Sequence, residues 1–282
     1  MSSEPKLRRA QLLAAAALAA AGHAPCAAAR EEPLYEFGLG VGAIAFEDYR
    51  GSGTAHAYPL PLPYILYNGK FLKANRDGIR GTLFNQDRFE LNLSFDATTP
   101  VRNDRERSGM PDLKSTVELG PSLDLHLMRS ADARVKLDIR LPVRSALTVE
   151  ASPTIIGWTF TPRLALDVRS PLGYEGWNLG ILTGPLFADR RYHAYFYSVA
   201  PQFATDTRPI YRAQAGYAGT QFITALSKRF PKFWIGAYAR CDSLAGAVFT
   251  DSPLVQRHSY WSGGIGISWI ISRSSQLVEV PD

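Results

Sequence analysis

Only two cysteines occur in 282 residues, Cys26 and Cys241. That excludes a disulfide scaffold, because small exported folds that rely on bridges carry several. No Cys or His grouping has zinc spacing. No Gly-x-Ser-x-Gly elbow is present, and no Gly-rich phosphate loop leads into a helix. His258 and Ser259 are adjacent, but neighbours in a strand point to opposite faces and cannot act as base and nucleophile. The expectation is therefore no catalytic residue, no metal and no cofactor. After residue 30 no apolar run reaches the ~18–20 residues of a membrane helix, which excludes a helical membrane protein. A charge field of one sign is missing as well. The formal charge of +5 comes from 31 Lys+Arg and 26 Asp+Glu, scattered along the chain. Without a basic tract, no nucleic-acid partner is expected. Helical spacing is hard to find beyond the N-terminal region.

Residues 1–29 read as a cleaved signal peptide. Lys6, Arg8 and Arg9 form a positive start, Ala10 to Ala21 is a short Ala/Leu run, and Ala27-Ala28-Ala29 supplies small side chains for cleavage. Cleavage would remove Cys26 and leave Cys241 alone, so the exported chain forms no internal disulfide.

The dominant pattern has period 2. Phe89, Leu91, Leu93 and Phe95 alternate with Glu90, Asn92, Ser94 and Asp96. Val117 to Leu127, Val135 to Val143 and Trp158 to Val168 repeat the pattern. Such alternation predicts strands with one apolar and one polar face. Further strands are expected over 34–46, 57–67, 78–85, 176–186, 192–204, 211–228, 232–242 and 258–272, with 69–74 as a short extra. Several run to ten or more residues, against ~5–6 in soluble sheets. Membrane barrels need about 9–11 tilted residues, apolar outside and polar inside. With an export signal, this predicts an all-β fold: an antiparallel transmembrane β-barrel of about twelve strands, with ten or fourteen as alternatives. Residues 30–271 form the barrel and 272–282 a C-terminal tail. A soluble periplasmic β-sandwich fits the strand lengths less well. Tyr35, Phe37, Tyr64, Tyr67, Phe71, Trp177, Tyr195, Tyr197, Trp234, Tyr238, Tyr260, Trp261 and Trp269 lie where interfacial girdles would draw them. The gap 97–113 reads as an exposed loop.

An ordered set of short motifs runs through the chain. Gly38, Gly40 and Gly42 alternate in the first strand, followed by Tyr49-Arg50-Gly51-Ser52 and the Pro-rich Pro59-Leu60-Pro61-Leu62-Pro63-Tyr64. Gly216-Tyr217-Ala218-Gly219 and Asp251-Ser252-Pro253-Leu254-Val255 precede a Gly-alternating last strand with Gly264 and Gly266. Together they resemble the MipA/OmpV family of outer-membrane barrels. The resemblance implies residence in the outer membrane of a Gram-negative bacterium, among lipid and lipopolysaccharide. It also implies a non-enzymatic scaffold that links a murein hydrolase and a murein synthase. A channel for a small solute and an adhesin acting through surface loops are the alternatives. The tail after Trp269-Ile270-Ile271 departs from barrels that end at a terminal aromatic. The alternating glycines allow either a close seam between first and last strands or a crowded lumen.

If the apolar face meets lipid, Arg88, Glu90, Asp96, Glu118, Asp124, His126, Arg134, Lys136, Asp138, Arg140, Arg144, Arg163, Asp167 and Arg169 face the lumen. A tight hairpin at 129–133, pairing Leu127 with Val135, would set Glu118 opposite Arg144 and His126 opposite Lys136. Mixed signs favour a salt-bridged filling over a steering surface for an anionic solute. For the export reading, N-terminal sequencing of the envelope-inserted protein is expected to begin at Arg30. A chain still starting at Met1 would refute cleavage.

Overall fold

The computed structural model describes residues 30–69, 72–75, 78–86, 88–102 and 104–280. The expected signal segment lies outside the described residues. The strands, in chain order, are β1 (Arg30–Pro33), β2 (Tyr35–Glu47), β3 (Ala55–Asn68), β4 (Leu72–Asn75), β5 (Gly78–Asn85), β6 (Phe89–Thr98), β7 (Thr116–Arg129) and β8 (Val135–Thr148). They continue with β9 (Ile155–Phe160), β10 (Arg163–Arg169), β11 (Trp177–Ala188), β12 (Gly216–Arg229), β13 (Phe233–Ser243), β14 (Ser259–Arg273) and β15 (Leu277–Val280). One helix, α1 (Arg190–Tyr197), lies between β11 and β12.

Each strand pairs antiparallel with its neighbour, and the pairing returns to its start. β14 pairs with β2, and β10 bridges β8 to β11. β9 and β10 are two halves of one strand: both pair with β8 and both with β11. They break at Thr161-Pro162, because proline lacks the N–H that a central strand needs. Counted as one, they leave a ring of twelve strands from β2 to β14. The ring pairs most strand amides internally, as crossing hydrocarbon requires, and its shortest ladder is β3–β4, where only Tyr67 with Ala74 and Asn68 with Lys73 are paired.

The alternation sets which face is which. Leu39, Val41, Phe95, Leu119, Trp158, Trp261, Ile265, Trp269 and Ile271 stand exposed on the outer face, Ile271 at 74%. Apolar exposure of this extent suits lipid, not water. On the opposite face of the same strands, Asn92, Glu118, Ser122, Asp124, Asp138, Arg144 and Ser268 are buried. β3 is the exception to this polarity. Its Pro59, Pro61 and Pro63 stand on the exposed face, and Leu60, Leu62 and Tyr64 turn inward.

Those inward side chains explain the glycines. Gly42 sits opposite Gly266 across the seam. A Cβ on Gly38 or Gly40 would collide with the carbonyl oxygens of Trp269 and Ile267, and one on Gly266 with the Leu62 side chain. So the glycines serve both expected purposes: β2 and β14 approach closely, and Leu62 fills the space left. Ser268 donates to the Leu62 carbonyl at 2.9 Å, fixing the same contact.

Several expectations need correcting. Segment 192–204 is no strand. Asp189 caps α1 by accepting from the Tyr192 amide at 2.8 Å, and His193, Phe196 and Tyr197 form its buried face at helical spacing. β4 takes its place in the count. The β7–β8 register is shifted by two residues from the expected one. Thr116 faces Thr148, and a bulge between His126 and Met128 admits a longer turn. His126 therefore faces Asp138, not Lys136, and Glu118 faces Ala146. Of the girdle aromatics, Phe37, Trp261 and Trp269 are on the outer face. Tyr64, Trp234, Tyr238 and Tyr260 turn inward, Tyr195 and Tyr197 belong to α1, and Phe71 lies outside the described residues. Beyond residue 271, β14 continues to Arg273, and β15 pairs with β1 in a separate two-stranded ribbon.

The seam gives a direct test. Gly40→Val forces a branched side chain into the Ile267 carbonyl, where overpacking costs about 1–3 kcal/mol or more. The expected outcome is a large loss of the heat-modifiable folded band on refolding. Ala43→Val, on the outer face of the same strand, should refold normally.

Candidate functional site

The two ends of the barrel differ. At one end the strands join through short segments, 130–134, 170–176 and 230–232, and the β1–β15 ribbon is there as well. At the other end lie 48–54 and the much longer connections 99–115, 189–215 and 244–258. These four fold together over the mouth as a cap with its own core. Val101, Leu113, Phe196, Tyr197, Val199, Leu244, Phe249 and Leu254 are all buried in it. Tyr197 and Phe249 stack with ring centroids 3.7 Å apart, and His193 meets Phe249 edge-on at 4.9 Å. The segment expected as an exposed loop is thus partly interior: Val101, Asp104, Arg107 and Leu113 are buried, and most residues between them face solvent. Arg107 ties it to α1 by donating to the Phe196 carbonyl at 2.9 Å.

The motif residues turn out to build this cap. The Tyr49 hydroxyl donates to the Leu254 carbonyl at 2.8 Å. Gly51, at φ +89°, accepts from the amides of Gln256 and Arg257 at 2.7 and 3.2 Å. A Cβ there would sit 2.8 Å from the Leu244 side chain. Ser52 donates to Asp104 at 3.0 Å, and Ser252 to the Tyr197 carbonyl at 2.7 Å. Asp251, Pro253 and Val255 complete the turn around Ser252 and Leu254. Gly216 and Gly219 have positive φ, and Tyr217 accepts from the Val248 amide at 2.9 Å through its carbonyl. Arg50, which carried no assigned role in the sequence, is the tie to the barrel wall. Its Nε donates to Asp242 at 3.0 Å and its Nη1 to the Ala218 carbonyl at 2.6 Å. Tyr197 donates to the Arg50 carbonyl at 3.0 Å.

Below the cap the lumen is crossed by ion pairs. Arg144 Nε donates to Glu118 at 3.0 Å, and the same carboxylate accepts from Thr159 and Tyr192, both at 2.8 Å. Arg144 reaches Ser94 and Thr161 at 3.1 Å each and lies 3.7 Å from Asp96. Arg140 lies between Asp124 at 3.8 Å and Asp167 at 3.6 Å. His126 meets Asp138 at 2.9 Å. Glu36 binds Arg229 and Tyr64 near the short-turn end. Glu90, Lys136 and Arg169 are half-buried on the inward side. Two of the expected lumen charges are elsewhere: Arg88 is exposed at a strand end, and Arg134 sits in the exposed hairpin turn, 3.4 Å from Asp132. Pairs as buried as Glu118–Arg144 lose about 3–5 kcal/mol when one partner is removed, because the other charge is stranded. The expected register missed this pair's geometry but not its existence, since the long side chains bridge a diagonal.

His193 has a readable pH signature. Burial, with the Arg50 charge pushing the same way, holds its imidazole below the usual histidine range. Its Nδ1 bonds the Gln214 carbonyl at 2.6 Å. The ring is neutral in the folded cap, while the unfolded segment takes up a proton near about pH 6.5. Its contribution to cap stability is present above that pH and lost below it. Burial raises the Asp48 carboxyl, which acts in the opposite sense. A difference measurement separates the two. The cap-opening free energies of wild type and His193→Gln, from amide hydrogen exchange, should converge as pH falls from about 7.5 to about 5.5. A constant gap would uncouple His193 from the cap.

No curated protein sequence matches the chain. Among solved structures it is similar to a bacterial polysaccharide outer-membrane secretin at 8% identity, with 85% of this chain and 99% of that one covered and a TM-score of 0.40. The toluene transporter TodX of P. putida aligns at 10% identity, over 86% of this chain and 68% of that one, with a TM-score of 0.29. The outer membrane protein OprG of Pseudomonas aeruginosa aligns at 6% identity, over 86% and 95%, with a TM-score of 0.22. The model of the family described as MltA-interacting protein MipA matches residues 39–271, from the seam strand to the end of the last one. The chain belongs to the MipA family and is a β-barrel of the outer membrane.

Proposed function

We propose that this barrel is a non-enzymatic scaffold that holds a murein hydrolase, and with it a murein synthase, at the inner surface of the outer membrane. The single observation that carries the reading is the cap. Four connections spend their side chains on a shared core over one mouth. A porin mouth is left open, and an adhesin displays its loops. In outer-membrane barrels the short turns face the periplasm and the long loops face outward. By that rule the cap is outside, and the short turns and the β1–β15 ribbon face the cell wall. The family's description names a partner of the MltA type, and the periplasmic end is the surface such a partner can reach.

Two measurements test this. The refolded barrel, immobilised, is expected to retain purified MltA-type transglycosylase, and removal of residues 274–282 should weaken retention without unfolding the barrel. In planar bilayers the same protein should show no reproducible conductance steps. Steady conductance without retention would replace the scaffold by a channel.

A further inference from the structure

Beneath the cap lies a cavity of about 330 Å³ that the murein reading does not use. Its volume falls at the lower end of the ~300–1,000 Å³ typical of small-molecule sites. Ile44 and Phe46 of β2 and Tyr238 of β13 line its walls, and Phe196 and Phe249 of the cap form its roof. Arg163 of β10 also lines it.

Arg163 differs from the other arginines of this cavity. Arg144 is held by Glu118, and Arg50 and Arg240 share Asp242. Of the remaining acids near the mouth, Glu47 pairs with Arg257 at 3.2 Å and Asp48 with His56 at 2.9 Å, while the half-exposed Asp96 lies 3.7 Å from Arg144. Among the described residues Arg163 has neither a hydrogen bond nor an ion pair. Its place in the sheet makes this worse. It faces Arg140 directly across the β8–β10 ladder, and like charges so placed destabilise. The nearest acid on its own strand, Asp167, is 3.6 Å from Arg140 instead. Asp96 and Glu118 reach Arg163 only beyond ion-pair distance, so its N–H donors stay open to whatever enters the cavity.

We propose that the cavity binds a small organic monocarboxylate with an apolar or aromatic body, its carboxylate on the Arg163 guanidinium and its body against Phe46 and Tyr238. One free guanidinium offers a fork of N–H donors that matches one carboxylate. Ile44, Phe46 and Tyr238 give the partly polar lining an apolar stretch that favours an organic body over a hydrated inorganic ion. This site is independent of any murein partner at the other end of the barrel.

Benzoate is the probe, titrated calorimetrically into the refolded full-length mature barrel, with benzamide, acetate and inorganic phosphate as controls. Saturable binding of one benzoate is expected, with benzamide weaker by about tenfold or more, as loss of a charge-assisted hydrogen bond requires. Acetate and phosphate should both bind more weakly than benzoate. Arg163→Gln should abolish the preference for benzoate over benzamide while leaving the heat-modifiable folded band at least as stable as in wild type. Arg163→Lys should retain part of it. Phe46→Ala should weaken benzoate and leave acetate unchanged, which keeps the test decisive if Arg163→Gln fails to refold. Equal binding of benzamide, phosphate as tight as benzoate, full preference in Arg163→Gln, or no saturable binding by the folded barrel would each overturn the proposal.

Discussion

The hydrogen-bond ladder between β14 and β2 is the contact on which the rest of the molecule depends. In hydrocarbon an unpaired amide or carbonyl has no water to turn to, so a sheet with two free edges cannot stay there. Joining the last long strand to the first removes the edges that β14 and β2 would otherwise present. That join brings backbone to backbone so closely that Gly38 and Gly40 have no room for a Cβ. Once the ring is closed, the lumen has a fixed width, and its charged side chains must satisfy one another across it. The Glu118 cluster does so with partners from β8, β9 and α1. Polar residues that would be a liability in a soluble core here become the filling of the barrel.

The cap extends the same logic to one end. A β-barrel has no hydrophobic core of its own, because its apolar residues face lipid. The buried apolar cluster of this chain is instead in the connections over the mouth. Arg50 is the joint between the two regimes. Its guanidinium reaches Asp242 in the wall, and its carbonyl accepts from Tyr197 in the cap.

How far the sequence could be read follows from what each signal encodes. Strand period is local, and the long alternating runs of β6, β7, β8 and β10 were legible because one face meets lipid along their whole length. The register between β7 and β8 was not legible, because a bulge at His126 changes it without changing either pattern. Segment 192–204 misled because Tyr195, Tyr197 and Val199 also alternate. The readable clue was Asp189 with a buried face four residues apart. The lumen charges were mostly legible from parity, and Arg134 failed because parity stops at the turn. The cap was the hardest part to foresee. Tyr49, Gly51, Ser52 and the Asp251–Val255 run stood out as motifs, yet nothing local says that residues about two hundred positions apart will meet. Arg163 posed the same difficulty: being unpaired is a property of every neighbour it lacks.

The separation in sequence of the cap contacts also orders events in time. Tyr49 bonds Leu254, and Arg50 bonds Asp242, across 205 and 192 residues respectively. The connection after β2 emerges early in synthesis, but its partners arrive only with β13 and the connection before β14. Until the last hairpin is in place, Tyr49, Phe196 and Tyr197 have nowhere to bury. The finished cap is therefore a completion mark, formed only by a barrel that has closed.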